Sequence, residues 1–168
     1  RYETTHITSG GPLTIEATNN IVAQGSQFKT EGDFKLSSRQ GDVDLQAVQN
    51  SETVNLKGAA SGGSLSSLLR GLGGSSTHNE EIQGVNIQAK GSALVQATRG
   101  DVSAQSLHLQ ADQQAAVVAG NVVKLTSEQA YNRTQNGNDV RQNLTTQRSS
   151  ISGNQGVTLY GQNSVQLD

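Results

Sequence analysis

The sequence contains no cysteine, no tryptophan and no methionine, and aromatic residues make up only 3% of it. The absence of cysteine excludes disulfide bonds and thiolate metal sites. Hydrophobic residues reach 32%, which is too little large apolar volume for a conventional globular core but compatible with a thin one. Disordered chains also have few hydrophobic residues, but they are normally rich in charge, and here charged residues are only 15%. The composition therefore favours an ordered chain with a thin core.

Charge of one sign is not concentrated anywhere along the chain. Twelve basic and fourteen acidic side chains give a formal net charge of −2, with no run that could neutralise a phosphate backbone. We therefore expect no nucleic-acid partner. No window approaches the roughly 18 apolar residues of a membrane helix, and the first residues lack the features of a signal peptide. The chain is interpreted as a fragment whose export signal lies elsewhere.

Short segments of alternating apolar and polar residues dominate the sequence, and each is typical of a β-strand with one apolar face. They are residues 13–17, 34–36, 43–47, 85–89, 107–111, 157–159 and 165–167. Between them stand turn words that need either a positive φ or a turn capped by a side chain: Gly32-Asp33, Gly41-Asp42, Gly100-Asp101 and Gly120-Asn121. Strands recur roughly every 8 to 12 residues, which fits a sandwich, a barrel or a β-helix.

A repeat of about 20 residues favours the β-helix, because this is the length of one coil and a sandwich has no reason to repeat so regularly. The fold class is therefore predicted to be all-β, a parallel β-helix of about six coils, right-handed because parallel crossovers almost always are. Residues separated by one coil are expected to stack in ladders. The sets with this spacing are Leu13, Phe34 and Val54, then Ile21 and Val43, and then Val85 and Leu107.

Two segments, about 57–79 and 128–147, break this rhythm and are predicted to leave the stack as loops or hairpins. The whole chain, residues 1–168, is otherwise interpreted as a single β-helical fragment. The first segment carries a leucine stripe at helical spacing that can cover apolar surface of the β-helix, dock a partner or membrane, or be disordered. This stripe is the candidate interaction surface, and it consists of Leu65, Leu68, Leu69 and Leu72.

Residues that could support catalysis or metal binding do not form a recognisable motif. The best acidic candidates are Asp42, Asp44 and Asp101, of which Asp42 and Asp101 follow glycine in turn words and Asp44 lies on the polar face of a strand. The histidines, His6, His78 and His108, are far apart and match no metal-binding spacing. We predict no catalytic, cofactor-binding or metal site and no enzymatic activity. The alternative is a β-helical polysaccharide lyase or hydrolase, which would need carboxylates and an arginine converging on one face.

Three sequence words carry a family resemblance: residues 150–159 (SISGNQGVTL), 31–36 (EGDFKL) and 41–47 (GDVDLQA). They are similar to the degenerate S-x-I-x-G/A-G-x-V-x-L-x-A theme of haemagglutinin repeats. Such repeats occur in filamentous haemagglutinins, in related adhesins and in the stalks of contact-dependent growth-inhibition toxins. The resemblance covers nearly the whole chain outside the two irregular segments.

The resemblance implies a right-handed β-helix in a large bacterial surface protein that is exported by two-partner secretion. It implies two partners, an outer-membrane transporter during export and a receptor or glycan on a host or neighbouring cell. The expected function is a rigid rod, monomeric and without cofactor, that presents a binding site or a distal toxin. Adhesion and virulence are the biological roles that such a rod would serve.

Overall fold

The computed structural model describes residues 3–56 and 75–168. Every regular element in these ranges is a β-strand. None of the described residues belongs to a helix that is long and apolar enough to cross a membrane. The chain divides into two compact units. The first, called here the β-helix unit, contains residues 3–48, 83–128 and 147–168, and the second, the four-stranded unit, contains residues 49–56, 75–82 and 129–146.

The β-helix unit is built from three parallel sheets of five strands. The first sheet contains β1 (His6–Ser9), β4 (Gln27–Thr30), β9 (Asn86–Ala89), β12 (His108–Ala111) and β17 (Ser150–Gly153). The second contains β2 (Leu13–Ala17), β5 (Phe34–Ser38), β10 (Ala93–Ala97), β13 (Gln114–Ala119) and β18 (Gly156–Gly161). The third contains β3 (Ile21–Gln24), β6 (Val43–Gln46), β11 (Val102–Gln105), β14 (Val122–Thr126) and β19 (Ser164–Leu167). One strand from each sheet makes a coil, so the predicted parallel β-helix is confirmed, with five coils instead of six.

Apolar ladders fill the interior of the coils because alternate side chains of each strand point inward. In the first sheet one ladder runs through all five coils, in the order Ile7, Phe28, Ile87, Leu109 and Ile151. Small residues share the interior with large ones, which keeps it narrow and explains how a chain so poor in aromatics is ordered. The largest fully buried side chains are Phe34, Leu36, Leu45, Ile87, Leu107, Leu109, Val43, Val85, Val95, Val102, Val117 and Val123.

The ladder predicted to contain Val54 is wrong at that residue. Phe34 does stack on Leu13, and Val43 stacks on Ile21, as the repeat predicted. The next residue above Phe34, however, is Ala93, whereas Val54 lies in β7 (Val48–Leu56), outside the parallel sheets, with 43% of its surface exposed. The chain leaves the stack after the second coil, where β7 begins.

The corner that follows the third sheet decides whether the chain continues into the next coil. At this corner Gly25 and Ser106 both have a φ of 51°, and the chain passes directly from β3 to β4 and from β11 to β12. The equivalent residues after β6 and β14 are Ala47 and Ser127, and neither has a positive φ. The chain therefore continues into the next coil where the corner residue has a left-handed backbone, and it leaves the stack where the corner residue has a negative φ.

Glycines at the corners between the second and third sheets lie directly over the previous coil. A Cβ added to Gly41 would come within 2.6 Å of the Asn20 backbone nitrogen, and one added to Gly100 within 2.5 Å of the Gly41 carbonyl oxygen. Neither glycine has a positive φ. The sequence offered two explanations for these turn words, a left-handed backbone or a turn capped by a side chain. The left-handed backbone is wrong at Gly41 and Gly100. Glycine is needed at both positions because the coils approach too closely to leave room for a Cβ.

A column of side chains caps the same corners. The Asp42 backbone N–H donates to Asn20 Oδ1 (3.0 Å), and the Asp101 N–H donates to Asp42 Oδ1 (2.8 Å). The Val122 N–H donates to Asp101 Oδ1 at 3.0 Å. Each Asp or Asn thus accepts a hydrogen bond from a backbone N–H of the next coil. The side-chain cap that the sequence predicted is therefore present, and it acts between coils.

This column predicts a difference between two substitutions of the same residue. Asp42→Asn keeps the Oδ1 acceptor and is expected to leave the free energy of unfolding nearly unchanged. Asp42→Ala removes the acceptor for the Asp101 N–H and is expected to lower that free energy by about 1 kcal/mol. Urea unfolding followed by circular dichroism measures both, and equal losses in the two variants would contradict the capping role.

The four-stranded unit contains β7, β8 (Ser75–Gln83), β15 (Glu128–Asn136) and β16 (Asp139–Gln147), in the spatial order β16-β15-β8-β7. A two-residue turn, in which Gly137 has a φ of 60°, joins β15 to β16 as a hairpin. β8 and β15 pair antiparallel, with Ser75 opposite Asn136 and His78 opposite Arg133. The segments expected to break the coil rhythm thus contribute strands to a fourth sheet.

Candidate functional site

The leucine stripe proposed from the sequence as an interaction surface lies outside the described residues. Leu65, Leu68, Leu69 and Leu72 all fall within residues 57–74. The stripe therefore stays a prediction.

The acidic candidates are placed in the corners and on the outside of the β-helix unit. The structure brings Asp42 and Asp101 together in the capping column, where each accepts a backbone N–H of the next coil. Asp44 lies on β6 and accepts a hydrogen bond from the Gln46 side-chain amide. These contacts account for the carboxylates as structural groups within the stack.

The histidines are divided between the two units. His6 and His108 occupy the same column of the first parallel sheet, but Gln27 and Asn86 separate them. His78 lies on β8 of the four-stranded sheet. Within residues 3–56 and 75–168, no group of three or more His, Asp or Glu side chains could hold a metal ion.

The densest polar cluster of the four-stranded unit surrounds the carboxylate of Glu80, whose side chain is 20% exposed. Glu80 Oε2 accepts hydrogen bonds from the Tyr131 backbone N–H (2.6 Å) and from the Gln49 amide (3.0 Å). In return, the Glu80 backbone N–H donates to Asn132 Oδ1 at 2.9 Å. Past His78 along β8, the side chains of Glu80 and Asn132 therefore make the hydrogen bonds between β8 and β15 and hold these two strands together.

His78 extends the cluster to the neighbouring strand. Its Nε2 lies 3.1 Å from Glu80 Oε1, and its Nδ1 lies 2.8 Å from Thr53 Oγ1. A neutral imidazole with its proton on Nε2 satisfies both contacts, because it donates to the carboxylate and accepts from the hydroxyl. The His78 ring also lies 6.3 Å from the Tyr131 ring, measured between centroids. The cluster therefore connects β7, β8 and β15.

Hydrogen bonding lowers the pKa of Glu80 below its ordinary value of 4.5. The largest cause is the Tyr131 backbone N–H, followed by the His78 side chain, and both favour the ionised carboxylate. Because the folded-state pKa is lower than the unfolded one, this contribution to stability is complete above about pH 4.5. It is lost as the pH falls through the folded-state pKa.

We therefore expect the pairing of β8 with β15 to weaken in acid. Amide hydrogen exchange at Tyr131 is expected to be slow near neutral pH and to accelerate, relative to its intrinsic rate, once the pH falls below 4.5. Glu80→Gln removes the ionisable group and should abolish this pH dependence. Glu81→Gln changes an exposed neighbour on the same strand and should keep it. A Glu80→Gln variant with the original pH dependence would contradict the assignment.

Sequence reasoning missed this cluster. Glu80 and Tyr131 are 51 residues apart, and neither stands in a recognisable motif. The available signal was the similarity of the words that enter the two irregular segments, residues 50–53 and 132–134, which indicates that the segments are related. That similarity could have suggested that they form one sheet.

Comparison with known proteins agrees with the repetitive architecture. The family model described as Hemagglutinin repeat matches residues 1–69 and 70–167. No curated protein and no solved structure matches the chain. The two tandem matches leave almost no residue uncovered, and they confirm the resemblance to a filamentous haemagglutinin-type repeat region. The chain therefore belongs to the hemagglutinin repeat family.

Proposed function

We propose that the chain is a structural and adhesive repeat module of a large secreted bacterial surface protein. Its β-helix would act as a rigid rod, and its four-stranded sheet would be displayed for recognition. The rod would hold a binding site, or a toxin at its far end, away from the cell that produces it. Family membership and the register of the five coils support this proposal.

The observation that carries the proposal is the continuity of the core ladders. Each inner position of the second sheet repeats through all five coils, as in the ladder Ile15, Leu36, Val95, Val117 and Leu159. Every interior coil is therefore packed against two neighbours, and bending the stack would open apolar contacts on one side. Each coil adds about 4.8 Å of length. This construction suits a spacer.

The edge strand β16 of the four-stranded sheet is the best candidate for recognition. Along β16, all residues but the last are exposed, including Arg141 and Leu144. Its amide and hydroxyl side chains, such as Asn143 and Thr145, offer the donors and acceptors that a sugar or a polar receptor surface requires. We propose a receptor or glycan on a host or neighbouring cell as the partner.

Export through an outer-membrane two-partner-secretion transporter would place the module at the cell surface. A chain without cysteine suits such a route, since it cannot form disulfides while it is unfolded in an oxidising periplasm. The rival function, a carbohydrate-active enzyme, has less support because Asp42 and Asp101 are engaged in the capping column.

Cell binding by the isolated chain tests the proposal. Beads coated with the chain are expected to bind epithelial or bacterial cells. A triple variant of β16, with Arg141, Asn143 and Thr145 changed to serine, should bind fewer cells with an unchanged circular dichroism spectrum. The matched control changes exposed positions of the β-helix unit, Lys29, Gln88 and Gln110, to serine. Equal binding by both variants would assign adhesion to another surface, and no binding by the original chain would leave only a spacer.

A further inference from the structure

The hairpin between β15 and β16 begins with an Asn-Gly pair, Asn136 and Gly137, and this is the only such pair in the sequence. In an Asn-Gly pair, the side-chain carbon Cγ of the asparagine and the backbone nitrogen of the glycine can close a five-membered ring. Glycine leaves that nitrogen unshielded because it has no Cβ. The turn therefore contains a pair of residues that can react with each other.

The surroundings of this pair are open. Asn136 is exposed, as is Asn138 on the other side of the glycine. Apart from its chain neighbours, no described residue has an atom within 4 Å of the position that a Cβ on Gly137 would take. Water therefore reaches the pair, and the turn has room to change its conformation during a reaction.

A hydrogen bond from the neighbouring strand acts on the Asn136 side chain. Ser75, the first residue of β8, lies opposite Asn136, and its Oγ donates to Asn136 Oδ1 at 2.6 Å. A donor at this carbonyl oxygen draws electron density away from Cγ. It also stabilises the negative charge that the oxygen carries when a nucleophile adds to Cγ. The tertiary structure thus activates this amide in a way that the Asn-Gly pair alone does not.

We propose that Asn136 deamidates spontaneously, with Ser75 as the activating donor. The backbone nitrogen of Gly137 loses its proton to water and forms a bond to Asn136 Cγ. The bond between Cγ and Nδ2 breaks, and the amide nitrogen takes up a proton and leaves as ammonia, which gives a cyclic succinimide. Water then opens the ring at one of its two carbonyl carbons, so residue 136 becomes aspartate or isoaspartate. The net reaction consumes one water and releases one ammonia.

The reaction changes the charge of the surface around the hairpin. Asn136 lines a cleft of about 330 Å³ together with Thr134, Asp139 and Arg141. Asp139 and Arg141 form an ion pair there, with 3.7 Å between Oδ2 and Nε, so their charges cancel. A carboxylate at residue 136 gives the cleft a net negative charge. Because the cleft includes part of β16, a binding surface on that strand would change as the protein ages. This consequence rests on the proposed function, whereas the reaction itself does not.

Incubation of the intact chain in mildly alkaline buffer, followed by peptide mass spectrometry, tests the reaction. Asn136 is expected to convert at least about tenfold faster than Asn143, which corresponds to a small difference in barrier height. Asn143 is a matched internal control, since it is also exposed but is followed by leucine. Gly137→Asn should slow the conversion of Asn136, because a side chain then shields the attacking nitrogen while asparagine tolerates the left-handed turn. A rate at Asn136 no higher than at Asn143 would overturn the proposal.

Removal of the serine hydroxyl separates the role of the fold from that of the Asn-Gly pair. Ser75→Ala should slow the conversion of Asn136 about fivefold, the effect of one lost hydrogen bond on a rate. Ser76→Ala changes the next residue of β8, which lies opposite Gln135, and should leave the rate unchanged. In urea, where β8 and β15 no longer pair, the original chain and Ser75→Ala should react equally fast. An unchanged or higher rate in folded Ser75→Ala would contradict activation by Ser75.

Discussion

Leu109→Ala is expected to lower the free energy of unfolding of the β-helix unit by about 2 to 4 kcal/mol. Leu109 is fully buried and lies in the ladder between Ile87 and Ile151. Truncation therefore removes packing from two coil interfaces and leaves a cavity in an interior too narrow to collapse around it. Urea unfolding followed by circular dichroism measures the change.

Leu167→Ala is the matched control. Leu167 occupies an inward position of the third sheet, stacked on Leu125, but it lies in the fifth coil and is 67% exposed. Its truncation is expected to change the free energy of unfolding by less than about 1 kcal/mol, since little apolar surface returns to water. Equal losses for Leu109→Ala and Leu167→Ala would mean that burial between coils is not what stabilises the stack.

Gly100→Ala is expected to destabilise the fold by about 1 to 3 kcal/mol, although the glycine has an ordinary backbone conformation. The added Cβ would meet the Gly41 carbonyl oxygen at 2.5 Å and the Gly41 carbonyl carbon at 2.7 Å. Both are backbone atoms of the coil below, so relief requires that two coils move apart and stretch their hydrogen bonds.

The control for this prediction is Gly10→Ala. A Cβ at Gly10 meets nothing within 4 Å. The substitution should leave stability unchanged or raise it by about 0.4 to 1 kcal/mol, because alanine restricts the unfolded chain. Thermal unfolding of the two variants should thus give shifts of different size or sign. Similar shifts would show that the corner at Gly100 has room that the structure does not indicate.

The turn words show how much of the corner could be predicted. A glycine followed by Asp or Asn indicated a turn at residues 41–42 and 100–101, and both are corners between the second and third sheets. The sequence left open whether backbone conformation or a side-chain cap required these residues. The answer depends on the coil below, since the atoms that exclude a Cβ at Gly100 belong to Gly41. No local pattern contains that neighbour.

The candidate site could not be predicted because its contacts join distant segments. Glu80 resembles any acid on a polar strand until Tyr131 and Gln49 are placed beside it. Its lowered pKa has the same origin, because the largest cause is the backbone N–H of Tyr131, which lies on another strand. The predicted interaction surface, the leucine stripe, was found from local helical spacing alone.

The sequence by itself determined the parallel β-helix, because period-two strands that recur at about 20 residues can bury their apolar faces only by stacking. It did not determine where the chain leaves the stack. Val54 has the sequence spacing of a coil residue, yet it lies in β7 of the four-stranded sheet. That choice is made at the corner after the third sheet, where Gly25 and Ser106 are left-handed and Ala47, the residue before β7, is not. Because serine rarely adopts that conformation, only the packing of the finished coils selects it at Ser106.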